Sequence, residues 1–203
     1  MTLTFMTTIS VLRKTSLLPG ISYLAILLIL LTLTTLNGDQ SPDMMLSSWK
    51  VVGDALWVLG QSGVLVILYC MYRLRLNGER WIHKVALLVP SIGAVSYIVG
   101  TVWNVEQVMK FFGASPMLVF YPLGAFLLAA GMVWIGIQII KRDDRWTGWE
   151  KFTPLIVGIY PFVVMFPVVM ITGYPNVYLI MLWGLPWLLF GISLNRLIKR
   201  SPY

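Results

Sequence analysis

Six long apolar stretches occupy most of this 203-residue chain and decide the solvent in which it can fold. Each holds close to 20 residues, and a helix of about 20 apolar residues crosses the roughly 30 Å hydrocarbon core of a bilayer. Hydrophobic residues make up 58% of the chain, against about 45–50% in soluble domains. The sequence therefore predicts membrane-spanning segments at residues 17–36, 52–72, 83–103, 117–140, 153–172 and 177–195.

These stretches are continuous apolar runs, such as residues 24–31, rather than the alternating segments of a membrane β-barrel. In lipid every backbone polar group needs an internal partner, which a helix supplies within one segment. We therefore expect an all-α membrane protein: a bundle of six transmembrane helices in a single integral membrane domain over residues 1–203. For the first stretch a cleaved signal peptide is the alternative, but the run is long for one and no A-x-A-like site follows.

Basic residues divide the connecting segments into two sides. Thirteen of the 15 lie in alternate segments along the chain, whereas Lys50 and Lys110 lie in the others. Cytoplasmic loops carry an excess of Lys and Arg, so we expect both termini in the cytoplasm. No organelle-type targeting signal is seen in the sequence, so the expected location is the plasma membrane of a prokaryote. The net charge of +7 then indicates orientation and contact with membrane lipids, not nucleic-acid binding. The thirteen are Arg13, Lys14, Arg73, Arg75, Arg80, Lys84, Lys141, Arg142, Arg145, Lys151, Arg196, Lys199 and Arg200.

The single His and single Cys limit the chemistry. A metal site built from such side chains needs three or four donors, and Cys70 has no second cysteine for an internal disulfide. Because no catalytic or cofactor motif is present either, we expect no cofactor and favour a non-enzymatic role. The alternative is a membrane enzyme that acts on lipid at the cytoplasmic surface, with His83 oriented by Glu79 or Asp144.

Polar side chains near the outer end of the second helix suggest a first candidate site. Asp54 lies about one turn inside that helix, and Gln61 follows seven residues later on the same face. Together with Glu106 in the next outer loop, these residues predict an outward-facing acidic mouth for a cation or an amine.

Prolines suggest a second candidate site. A proline inside a helix leaves the carbonyl four residues earlier without its usual partner, as Pro161 does to Val157. Three helices bent at one depth predict a ligand cavity near the membrane midplane, where transporter sites often lie. The candidate lining residues are Pro90, Ser91, Tyr97, Gln138, Tyr160, Pro161 and Pro186.

Packing is indicated by small residues and tryptophans. Ser96 and Gly100, joined by Gly93, on the third helix and Gly124 and Gly131 on the fourth predict close helix contacts. A shift of 68 residues pairs helices two and three with helices four and five, which leaves open whether the two pairs are a duplication. Tryptophans at helix ends predict anchors in the headgroup layer: Trp49, Trp81, Trp103, Trp146 and Trp149.

Taken together, these features predict a small polytopic membrane protein that binds or transports a small apolar or amphipathic ligand. The alternative is an accessory or assembly subunit, whose exposed helix faces pack against other membrane subunits or against a second copy of the chain.

Overall fold

Helices form all the regular structure of the residues that the computed structural model describes, which are 3–37, 42–76, 78, 80–102, 116–142, 145–173 and 176–200. The first five helices are α1 (Leu3–Thr15), α2 (Leu18–Asn37), α3 (Pro42–Leu74), α4 (Trp81–Val102) and α5 (Pro116–Arg142). The rest are a 3-10 helix (Gly148–Phe152), α6 (Thr153–Tyr160), a π-helix (Pro161–Met165), α7 (Phe166–Thr172), α8 (Val177–Leu182) and α9 (Gly184–Arg200).

Within these described residues, six helical spans are long and apolar enough to cross a membrane. The predicted all-helical fold and the predicted number of membrane-crossing helices are thereby confirmed, and the six spans indicate an integral membrane protein. We number them span 1 (Met6–Thr35), span 2 (Val51–Leu74), span 3 (Trp81–Val102), span 4 (Phe120–Lys141), span 5 (Gly148–Thr172) and span 6 (Val177–Arg200).

The spans pack in chain order, and the ring that they form closes where span 6 meets span 1. Glycines make that closure tight: a Cβ placed on Gly20 would lie 2.6 Å from the backbone nitrogen of Leu188. Spans 3 and 4 also approach each other closely, at two of the glycines whose positions predict close helix contacts. A Cβ on Gly93 would lie 2.6 Å from the nitrogen of Leu128 and 2.8 Å from the carbonyl oxygen of Gly124.

Segments rich in basic residues meet at one end of the bundle, which we name the basic end. The Arg145 guanidinium donates to the carbonyl oxygen of Arg75 at 2.8 Å, which joins the turn after span 2 to the segment before span 5. Nearby, the amide nitrogen of Asn195 donates to Ser16 Oγ at 2.8 Å and joins span 6 to span 1. Segments that the charge pattern assigned to one side therefore do lie together.

Aromatic side chains fill the centre of the helix bundle. Consecutive ring centroids lie 5.0–6.3 Å apart along a continuous column, and the rings of Trp183, Trp187 and Phe190 within it are fully buried. From the far end of the bundle to the basic end, the column consists of Tyr121, Tyr97, Trp57, Tyr23, Trp183, Trp187, Phe190 and Trp146.

Two features of the basic end differ from the sequence prediction. An additional helix, α1, precedes the predicted first helix. It packs against the bundle: Leu12 is buried, and the carbonyl oxygen of Thr8 accepts a long hydrogen bond from Cys70 Sγ (3.8 Å). The prediction that Trp146 anchors in the headgroup layer is wrong. Its ring is buried against Phe190, and its indole N–H donates to the carbonyl of Leu76 at 3.3 Å.

Candidate functional site

Four aromatic side chains from spans 1 to 4 meet in the half of the bundle that lies away from the basic end. Trp57 lies in the middle of this aromatic cluster. Its ring centroid is 5.0 Å from that of Tyr23, 5.2 Å from that of Tyr97 and 6.2 Å from that of Tyr121. The contacts with Tyr23 and Tyr97 are edge-to-face, and the contact with Tyr121 is stacked. These are the favourable geometries for aromatic pairs.

Gln61 brings an amide into this apolar surrounding. It lies four residues after Trp57, is 0% exposed, and donates from Nε2 to the Tyr23 hydroxyl at 2.6 Å. Its Oε1 has no hydrogen-bond partner among the described residues, nor do Trp57 Nε1 and Ser22 Oγ. We name Ser22, Tyr23, Trp57 and Gln61 the Gln61 site. It holds an acceptor (Gln61 Oε1), a donor (Trp57 Nε1) and a hydroxyl (Ser22 Oγ) without partners among the described residues. Each unmatched buried polar atom costs about 1–3 kcal/mol of stability.

Two glycines on span 2 explain why Tyr23 reaches Gln61. A Cβ on Gly60 would lie 3.2 Å from Ser22 Cβ, and a Cβ on Gly63 would lie 3.1 Å from the Pro19 ring. Spans 1 and 2 therefore approach each other closely on both sides of Gln61. Larger residues at these positions would separate the helices and lengthen the hydrogen bond.

Asp54, a residue of the predicted acidic mouth, lies on the same helix face as Gln61, near the start of span 2. It lies three residues before Trp57 and seven before Gln61, and it is partly exposed whereas Gln61 is buried. One face of span 2 thus leads from a carboxylate to the buried amide. Glu106, the third residue of the predicted mouth, lies outside the described residues, so its part in the mouth stays a prediction.

The carbonyl that Pro161 leaves free has a partner inside the protein. The indole N–H of Trp183 donates to the oxygen of Val157 at 2.8 Å, and the chain continues through the π-helix at Pro161–Met165. Beside it, the Tyr160 hydroxyl donates to the carbonyl of Leu179 at 2.8 Å. Around Pro161 the space is therefore occupied by a tryptophan of span 6, which satisfies the backbone as a helix in lipid requires.

Spans 3 and 5 pack against different faces of span 4. Pro90 packs against Gly131, whereas Gly158 of span 5 packs against the backbone of Ala129 and Val133. Two residues correspond to about 200° of rotation around a helix, so Gly131 and Val133 face opposite directions. Pro90 and Gly158 consequently lie against different faces of span 4, and a cavity shared by Pro90 and Pro161 stays a prediction.

The remaining residues of the predicted proline cavity lie at different depths. Tyr97 belongs to the aromatic cluster, whereas Gln138 is half-buried near the basic end of span 4. Ser91 donates to the carbonyl of Leu87 at 2.8 Å within its own helix, and Pro186 is buried in span 6. Of that predicted set, Tyr97 contacts Trp57 of the Gln61 site, with 5.2 Å between the ring centroids. A ligand-binding role for the others stays a prediction.

At the basic end, a buried carboxylate ties span 5 to span 6. The Glu150 side chain is 3% exposed and lies 2.9 Å from the Arg200 guanidinium and 3.6 Å from that of Arg196. Arg200 also donates to the hydroxyl of Thr147 at 2.7 Å. A carboxylate held by two arginines is a structural clamp, because its oxygens are engaged by charged donors.

His83, the candidate catalytic residue of the enzyme alternative, is buried at the start of α4. Gly78 lies directly against the imidazole, where a Cβ would overlap the ring, and has a φ of 113° that favours glycine. Its predicted partners Glu79 and Asp144 are outside the described residues. In the part of the chain that the structure covers, no three His, Cys, Asp or Glu side chains are grouped to hold a metal ion.

The sequence prediction missed Ser22, Tyr23 and Tyr121. One signal for the first two is present: residues 21–23 read Ile-Ser-Tyr, and residues 95–97 read Val-Ser-Tyr. Both tyrosines point into the aromatic cluster from spans of the same direction. These two similar runs, in spans 1 and 3, therefore mark positions that face the centre of the bundle.

In the described residues, six spans that are long and apolar enough to cross a membrane thus surround a small group of buried polar atoms next to aromatic rings. No family model matches the chain, and no curated protein or solved structure matches it either.

Proposed function

We propose that this protein binds a small, neutral, amphipathic molecule at the Gln61 site, and that it does so as a non-enzymatic protein of a prokaryotic plasma membrane with both termini in the cytoplasm. One observation carries the proposal. Gln61 Oε1 and Trp57 Nε1, an acceptor and a donor one helical turn apart, are both buried without a partner among the described residues.

A hydroxyl or an amide on the ligand fits this pair, because such a group donates to one atom and accepts from the other. The rest of the molecule would pack against the aromatic rings of Tyr23, Tyr97 and Tyr121, which contact Trp57 in the structure. A ligand with a full charge is disfavoured at this depth, since ions are costly inside a membrane protein. The column of rings fills the centre of the bundle, which supports binding more directly than transport.

The test uses benzyl alcohol, toluene and benzylamine as probes of equal shape, with binding to the detergent-solubilised full chain followed by saturation-transfer NMR. Nonspecific uptake of a probe into the micelle is the same for wild-type protein and for a Gln61→Leu variant. The difference between their saturation-transfer signals therefore measures binding at the Gln61 site. We expect that difference for benzyl alcohol but not for toluene. Gln138→Leu is the matched control, because Gln138 Oε1 is also unpartnered but lies in another part of the bundle.

Equal binding of benzyl alcohol to wild type and Gln61→Leu overturns the proposal. A larger difference for benzylamine than for benzyl alcohol replaces the neutral ligand by an amine, with Asp54 as its recognition group. Native mass spectrometry of the gently extracted protein then identifies the molecule that the Gln61→Leu variant loses.

The accessory-subunit alternative has an observation of its own in span 5. This span buries the smallest share of its length among the six, and Met170 and Ile171 near its end are 87% and 84% exposed. A second membrane protein packed along span 5 would cover that face. A stoichiometric partner in the native mass spectrum, lost on Met170→Lys, supports this role, and a mass equal to the chain alone with bound small molecules contradicts it.

A further inference from the structure

An apolar groove opens on the surface between spans 2 and 3, away from the Gln61 site. Its volume is about 460 Å³, and Tyr69 and Leu88 on its walls are 59% and 56% exposed. Ser91 is also in the lining, but its hydroxyl donates to the carbonyl of Leu87, so the groove offers no free polar group there. The full lining consists of Leu65, Leu68, Tyr69, Tyr72, Lys84, Val85, Leu87, Leu88 and Ser91.

One end of this groove is cationic. Lys84, in the first turns of α4, is exposed, and its Nζ lies 6.0 Å from the centre of the Tyr72 ring. Arg73, which is next to Tyr72 in the sequence, and Arg80, four residues before Lys84, also have exposed side chains at this end. Among the described residues, no carboxylate lines the groove itself. A positive charge thus lies where the groove reaches the basic end, and apolar side chains continue from it toward the middle of the bundle.

The dimensions suit a lipid chain. Leu65 lies seven residues, or about 10 Å of helix, further from the basic end than Tyr72. The walls along this length are aliphatic and aromatic, as for a site that receives hydrocarbon. We propose that the groove binds one anionic phospholipid, with its phosphate beside Lys84 and one acyl chain between spans 2 and 3.

Charge complementarity selects this occupant. Anionic headgroups are attracted to basic residues at the membrane surface, and tyrosines such as Tyr72 are typical of that layer. A zwitterionic phospholipid fills the apolar part equally well but gains less from Lys84. The site is independent of the Gln61 site, since none of its lining residues belongs to the aromatic cluster.

The experiment measures binding of phosphatidylglycerol and phosphatidylcholine, of identical acyl chains, to the detergent-solubilised full chain by native mass spectrometry. Lys84→Ala should weaken binding of phosphatidylglycerol about fivefold and leave phosphatidylcholine unchanged. Lys199→Ala is the control, because Lys199 is an exposed cation of the basic end outside the groove. Ser91→Phe should weaken both lipids, since a larger side chain fills the groove.

Equal losses for Lys84→Ala and Lys199→Ala would overturn the proposal, because binding would then follow total charge. Unchanged binding of both lipids to a folded Ser91→Phe variant would do so as well, and so would a wild-type dimer that Ser91→Phe dissociates. Gln61→Leu should bind both lipids as wild type does, which separates this test from that of the proposed function.

Discussion

Two tryptophans of span 6 show how one side chain serves different purposes at positions four residues apart. Trp183 and Trp187 are both fully buried in the aromatic column. Trp183 donates to the carbonyl oxygen of Val157, whereas the indole nitrogen of Trp187 has no partner among the described residues. The ring fills space in both cases, but the N–H contributes a hydrogen bond at Trp183 alone.

Replacement of each tryptophan by phenylalanine separates these contributions. Both variants lose similar volume, but Trp183→Phe also leaves the Val157 carbonyl unmatched, which adds about 1–3 kcal/mol of destabilisation. We expect a clearly lower unfolding midpoint for Trp183→Phe than for Trp187→Phe, measured by circular dichroism on heating in one detergent. Equal midpoints would mean that the hydrogen bond from Trp183 contributes nothing to stability.

The sequence predicts part of this arrangement at the level of single residues. Pro161 identifies Val157 as an unmatched acceptor without any structural knowledge. Its donor is on span 6 and depends on how spans 5 and 6 are aligned, which side-chain packing decides. For the same reason Gln61 and Asp54 are predictable as residues of one helix face, whereas Tyr23, on span 1, is not.

At the scale of helices, glycines decide which pairs approach closely. Spans 3 and 4 meet at Gly93 and Gly124, and spans 1 and 2 meet at Gly60 and Gly63. In both pairs a proline of the odd-numbered span packs against a glycine of the next one, Pro19 against Gly63 and Pro90 against Gly131. The contact between spans 1 and 2 therefore resembles the contact between spans 3 and 4. The shift of 68 residues had instead paired spans 2 and 3 with spans 4 and 5.

Glycine-to-alanine substitutions test this contact. A Cβ at position 93 would lie 2.6 Å from the backbone of Leu128, so Gly93→Ala must push spans 3 and 4 apart. We expect a loss of about 1–3 kcal/mol in the free energy of unfolding, as for other overpacked sites. The measurement is unfolding by a denaturing detergent, followed by circular dichroism.

Gly53→Ala is the control for this substitution, because nothing lies within 4 Å of a Cβ at Gly53. There the higher helix propensity of alanine should leave stability unchanged or raised by up to about 1 kcal/mol. Equal losses for the two variants would contradict the role assigned to Gly93.

The helices themselves are predictable because apolar length is a direct consequence of membrane thickness. The ends of the helices are harder to predict, since polar side chains that find partners in the folded protein extend a helix beyond its apolar stretch. Span 6 continues to Arg200, beyond the predicted end at residue 195, where Glu150 pairs with Arg196 and Arg200. The sequence analysis did not predict helix α1, because its buried residues Thr8 and Leu12 lie among several exposed polar residues and do not form a long apolar stretch.

The whole molecule combines an even number of spans with a strong asymmetry of charge. Antiparallel neighbours in a closed ring bring every second connection to the same end, and 13 of the 15 basic residues lie in the chain segments at that end. The charge pattern predicts this grouping because each hydrophobic crossing reverses the chain. The ring order and the aromatic column are not predictable in the same way, since they depend on contacts among all six spans.

The asymmetry of charge leads to the proposed orientation, with the basic end in the cytoplasm. Cys70 is the chain's one cysteine and is buried, so wild-type protein is an unlabelled background for cysteine mapping. Lys199→Cys places a thiol at the basic end, and Thr172→Cys places one at an exposed position of the opposite end. A membrane-impermeant maleimide should label Thr172→Cys in intact cells, and Lys199→Cys only after the cells are broken. The reverse pattern would invert the molecule in the membrane and place the phospholipid site in the other leaflet.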